Sequence, residues 1–148
     1  MTDSTFVYVT YIRTTPETLW KALTEPEFQR QYWFGFTQES DFKAGSPWAL
    51  KTPDGSLGDS GEVLESDPPR RLKLKWRNEF REELKAEGWS EASFDLEAAG
   101  PVVKLTVVHS MPRPDSKLIR AVSGGWPQIL ASLKSLLETG AALERPAA

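Results

Sequence analysis

The sequence predicts an α+β fold: an antiparallel sheet of about six or seven strands wrapped on one long C-terminal helix, with two short helices after the first strand. Three observations predict it. Runs between residues 71 and 109 alternate strictly between apolar and polar side chains, as strands with one buried face do. Glycine and proline punctuate residues 39–66 between short apolar runs, marking turns between further strands. From Leu118 to Leu137 the apolar residues recur at steps of three or four, the period of an amphipathic helix.

Each element follows in order. Residues 5–13, TFVYVTYIR, are rich in β-branched and aromatic side chains and read as a strand. Thr15 is a suitable N-cap, Pro16 fits the first helical position, and Leu19, Trp20 and Leu23 share a face. Thr24-Glu25-Pro26-Glu27 has capping-box spacing and opens a second short helix carrying Phe28, Tyr32 and Trp33. Pro68-Pro69 closes the turn-rich region. Leu72, Leu74 and Trp76 then share one face, opposite Lys73, Lys75 and Arg77. Phe94 and Leu96 oppose Ser93, Asp95 and Glu97 on the next strand, and Val103, Leu105, Val107 and His109 line one side of the last. Residues 79–88 are charged throughout and are expected to hold a turn of helix within a long connection. Asp115 or Ser116 caps the final helix, and Gly140 is placed to stop it.

Composition excludes several functions. At 148 residues the expectation is one domain, with a core over about 5–140 and a frayed tail at 141–148. No apolar run approaches the roughly 20 residues of a membrane span. The N-terminus is polar and then strand-like, without a basic-then-apolar leader, so a cytoplasmic location is expected. Cysteine is absent and there is one histidine, which removes thiolate and multi-histidine metal sites. No cofactor or metal is expected. A net charge of −3 argues against nucleic-acid binding.

The segments TTPETLWKALTEPEFQRQYW, GEVLESDPPRRLKLKW, VVKLTVVH and SGGWPQILASLKSLLETG, in that order and spacing, resemble the START-like SRPBCC superfamily. Within it they are similar to the bacterial branch named for the C-terminal domain of the activator of heat-shock protein 90 ATPase. The resemblance covers about residues 5–140. It implies a helix-grip fold, a curved sheet around the C-terminal helix with a cavity between them. Such relatives include lipid carriers, hormone receptors, polyketide cyclases and co-chaperone domains. The scaffold alone does not choose among these roles.

The residues then set up the candidates. A small apolar or amphipathic molecule is the expected partner, lined by Trp33, Trp48, Trp76, Phe94, His109, Trp126 and Leu130, with His109 as polar anchor. The alternative for each aromatic is plain core, and for His109 a satisfied structural group or a general acid or base. The inward faces offer no carboxylate beside His109 and no serine stands in a nucleophile elbow, so no catalytic residue is assigned; a cyclase or hydrolase using His109 ranks last. A second reading is a docking module for a chaperone or other protein, through Lys73, Lys75 and Arg77; under either reading a monomer or weak dimer is expected, and a stress-response role stands beside a metabolic one. Asp95 and Glu97 on the neighbouring strand are expected to neutralise that stripe. DGSLGDSG, lacking the lysine and hydroxyl of a phosphate loop, reads as a hairpin. Gly124-Gly125 and Pro127 inside the long helix need a tertiary reason, either close approach of another element or room for a ligand.

Overall fold

A computed structural model describes residues 2–146. Strand β1 (Ser4–Ile12) leads into helices α1 (Pro16–Thr24) and α2 (Pro26–Tyr32). Strands β2 (Thr37–Glu39), β3 (Pro47–Lys51), β4 (Leu57–Asp67) and β5 (Arg71–Asn78) follow. After the short α3 (Glu82–Lys85) come β6 (Ser90–Ala99), β7 (Val102–Met111) and α4 (Lys117–Thr139). The strands form one antiparallel sheet in the order β1-β7-β6-β5-β4-β3-β2. The curved sheet holds α4 against its inner face, as the alternation and the helical stripe predict.

The strand faces sort as their periodicity demands. Leu72, Leu74, Trp76, Phe94, Leu96, Val103, Leu105, Val107 and His109 are all buried. From α4, Trp126, Leu130, Leu133 and Leu136 enter the same core. Ser116 caps α4, its Oγ accepting from the Ile119 amide at 3.1 Å, and Gly140 ends it with φ 86°. Glu87 adds a carboxylate at that N-terminus, bonded to Ser116 Oγ and the Lys117 amide at 2.6 and 2.7 Å. Desolvation opposes ionisation of Glu87, but these bonds outweigh it and lower its pKa.

Four expectations are corrected. Thr24 does not cap α2: Glu25 holds that position without a side-chain bond, while Thr24 Oγ1 donates back to the Trp20 carbonyl at 2.8 Å. The outer stripe is neutralised by other partners than expected, because the register sets Arg71 rather than Lys73 opposite Asp95. The pairs formed are Arg71–Asp95, Lys73–Glu91 and Arg77–Glu79, at 2.7, 2.9 and 2.7 Å, while Lys75 and Arg77 lie over the Trp89 ring. The tail expected to fray makes contacts instead within 141–146: the Leu143 amide donates to Ser132 Oγ and Arg145 lies over Phe34, while 147–148 lie outside the described residues.

The fourth correction concerns glycine. A Cβ on Gly124 or Gly125 would meet nothing within 4 Å, so close approach does not explain them. Gly61 is the opposite case. It sits in register between Trp48 and Trp76, and a Cβ there would fall 1.7 Å from the Lys75 carbonyl oxygen. Two indoles whose centroids are 4.4 Å apart meet across it. Gly61→Ala should therefore destabilise the fold by about 3 kcal/mol or more, whereas Gly124→Ala should stabilise it by about 0.5–1 kcal/mol. Urea denaturation of the two variants checks both signs; equal effects would contradict this account.

Candidate functional site

Between α4 and the strands β3–β5 lies a cavity of about 230 Å³. Its apolar wall comes from Trp33, Leu50, Trp76, Leu84, Leu118, Val122, Trp126 and Ile129. Gly125 lines it from the helix side and Phe80, 62% exposed, stands at its rim. This volume exceeds the roughly 150 Å³ of a dry cavity that takes up benzene and falls below the ~300–1,000 Å³ of drug-sized pockets. A second void, lined in part by Phe94, Leu130, Trp33 and Trp126, measures only about 10 Å³. That is at or below the space of one water, so it is filled core.

Three indoles shape the larger cavity. Trp126 lies 5.6 Å from both Trp33 and Trp76, and Trp33 lies 6.5 Å from Trp76, centroid to centroid. The polar groups sit on the sheet side. Asp59 and Asn78 face each other in the β4–β5 register, with Arg81 beyond them at the edge. Asp59 is 7% exposed. Its Oδ2 accepts from Trp76 Nε1 at 2.6 Å and from Asn78 Nδ2 at 3.4 Å. Its Oδ1 accepts no hydrogen bond among the described residues. No described side-chain nitrogen or oxygen is both sealed from solvent and unpartnered, so Oδ1 keeps some exposed surface, and Asp59 is among the residues that line the cavity. Burial pushes the Asp59 carboxyl up to about 6, against the pull of the Trp76 and Asn78 bonds; the Glu79 charge pushes the same way.

His109 occupies a different position from the one expected. It does not line the cavity and cannot anchor a ligand there. Trp126 Nε1 donates to its Nδ1 at 3.1 Å, so the ring proton resides on Nε2 and is given to Ser90 Oγ at 2.8 Å. Ser90 in turn donates to the Trp76 carbonyl at 2.9 Å. Both ring nitrogens are spent, and burial pushes the imidazole down to about 3, leaving it neutral at physiological pH.

Of the seven expected site residues, Trp33, Trp76 and Trp126 come together around the larger cavity. Phe94 and Leu130 face the small void beside it. Trp48 lines neither: its Nε1 donates to Gln38 Oε1 at 2.8 Å. Gln38 and Gln29 both donate to the Leu23 carbonyl, at 2.9 and 3.0 Å, closing the end of α1 in a buried polar network. Sequence reasoning missed Asp59, Asn78, Phe80, Arg81 and Leu84. Asn78 continues the phase of Leu72, Leu74 and Trp76 by one step, a usable signal. Asp59 shares the inward phase of Val63, but Gly61 between them hides the alternation, and the stretch reads as a turn. Asp59 is an inward carboxylate, but the Trp76 ring lies against both it and His109, and no hydrogen bond joins the two.

The Asp59 shift sets a pH dependence. Its value in the folded chain lies above the ordinary 3.8, so its contribution to stability is complete below about pH 4 and is lost as pH rises through about 6. That displacement corresponds to about 3 kcal/mol. Asp59→Asn, which keeps an acceptor for Trp76, should match the parent near pH 4 and exceed it by about 3 kcal/mol at pH 7. Denaturation curves across that range test this, and a pH-independent difference would contradict it.

Comparison with known proteins follows the fold. Protein MLL2253 from Mesorhizobium loti is similar at 25% identity and TM-score 0.77, covering 90% of this chain and 96% of that one. CalU16 from Micromonospora echinospora is similar at 22% identity and TM-score 0.74, covering 96% of this chain and 69% of its own. The Hsp90 activator PFC0360w from Plasmodium falciparum is similar at 21% identity and TM-score 0.71, covering 90% and 95%. These last two likenesses speak to fold alone. No curated protein matches the sequence. A family match, however, runs over residues 13–138, from the end of β1 into the last turn of α4. By that match, the chain belongs to the family of Activator of Hsp90 ATPase homolog 1-like proteins.

Proposed function

We propose that this protein binds a small amphipathic molecule in the cavity between α4 and the β3–β5 face. The observation that carries this reading is an apolar cavity of about 230 Å³ with one buried carboxylate residue, Asp59, in its lining. The glycine pair supports it. Gly125 costs helix stability of about 1 kcal/mol relative to alanine, and no neighbouring atom accounts for that cost. Its missing side chain widens the cavity where the helix wall meets solvent. The reading leaves His109 as scaffold and gives it no acid–base role.

Docking of a protein partner through the outer face receives less support. Lys73 is engaged by Glu91, Arg77 by Glu79, and Lys75 lies over Trp89. Each such exposed pair contributes only about 0–1 kcal/mol, yet together they leave little free positive charge to steer a partner.

Native mass spectrometry of freshly purified protein, with the denatured mass as control, tests the binding reading. A discrete extra mass should appear on the parent chain and be lost or much reduced in Gly125→Leu, which narrows the cavity without weakening the helix. An adduct of equal occupancy in both proteins would place the ligand elsewhere. A clean mass together with no change in tryptophan fluorescence on adding small amphipathic probes would overturn the proposal.

A further inference from the structure

Asp59 is the unusual member of the cavity. Asp59 lines the cavity and its Oδ1 accepts no hydrogen bond among the described residues, whereas Gln29, Gln38, Ser90 and His109 close on protein partners. No cation among the described residues pairs with the Asp59 carboxylate. Arg81, the basic residue on the cavity, is turned to Glu83 at 2.8 Å. Arg77 and Lys85 are both held by Glu79, at 2.7 and 3.3 Å. From the other sides α4 and β3 present apolar groups, Leu50 among them, and His109 lies behind the Trp76 ring with both nitrogens occupied.

An anionic occupant would meet a like charge at the cavity wall, reinforced by Glu79. A neutral apolar occupant would displace water from Oδ1 and leave a buried charge unpaired, which is costly. A protonated nitrogen does neither. It would form a charge-assisted bond to Oδ1, and the indoles of Trp33, Trp76 and Trp126 would surround its apolar body and offer π faces to the cation. We propose that the molecule taken up here is an organic cation, a protonated amine on a small aromatic or aliphatic body, with its nitrogen on Asp59 Oδ1. This rests on the cavity being a binding site and names the chemical class it selects.

A matched pair of probes separates the two claims. Phenethylamine and phenethyl alcohol share a body of similar size and differ in charge, and their binding can be followed by tryptophan fluorescence. At about pH 8 the amine should bind at least ~10-fold more tightly than the alcohol, the strength of a hydrogen bond to a charged group. That preference should shrink near pH 5, where Asp59 takes up a proton. Asp59→Asn should abolish the preference, bringing the two probes to similar affinity. Equal binding of both probes at both pH values would overturn the cation proposal and leave the cavity reading intact; this arm needs no variant. Binding of neither probe would overturn both.

Discussion

A relay of three buried hydrogen bonds holds α4 onto the sheet. Trp126 donates to His109, His109 to Ser90, and Ser90 to the carbonyl of Trp76, at 3.1, 2.8 and 2.9 Å. The relay crosses β7, β6 and β5, so a single helix is fixed in both height and rotation against three strands. Van der Waals contact alone would tolerate small slides of Leu130 or Leu133 along the sheet. A directional chain in a dry interior does not, because each broken link would strand a buried donor or acceptor at about 1–3 kcal/mol. With Trp126 fixed, the angle between its ring and those of Trp33 and Trp76 is fixed as well, and with it the cavity wall.

The remaining polar interior divides by the same rule. Around the end of α1, Gln29, Gln38 and Trp48 close on one another and on the Leu23 carbonyl, and Tyr32 donates to the Ala22 carbonyl at 2.9 Å. These residues make a rigid corner and offer nothing to a ligand. Asp59 is bonded on one oxygen and open on the other. The contrast leaves the histidine as scaffold and makes the aspartate the group that the proposed binding would use, the reverse of the roles that residue type suggests. Gly125 fits the same division: a position on the longest helix gives up propensity and contact together, and the space gained belongs to the cavity.

Much of this was legible before any coordinates. Local periodicity carries the strands from 71 to 109 and the helix from Leu118 to Leu137, because both are amphipathic and their period reports which face is buried. The inward phase of His109 was equally plain. What it touches was not, since Ser90 and Trp126 arrive from other elements, 19 and 17 residues away in sequence. The ion pairs of the outer face failed for a related reason: they depend on register, and the β5–β6 register sets Lys73 opposite Ser93. Asp59 was hidden by composition. Glycines at 58 and 61 make its strand look like a turn, although Gly61 is there because the Lys75–Trp76 backbone leaves no room for a side chain.

The most direct test of this account is the protonation state of His109, read from the nitrogen and carbon-bound proton shifts of its ring by NMR. The relay requires a neutral imidazole with the proton on Nε2 and an unprotonated Nδ1, unchanged from about pH 8 down to at least pH 5, since burial holds its pKa near 3. A ring that titrates near its ordinary 6.5, or that carries its proton on Nδ1, would mean the relay is not formed. In that case α4 is not fixed as described, and His109 would return as a candidate for chemistry in the cavity.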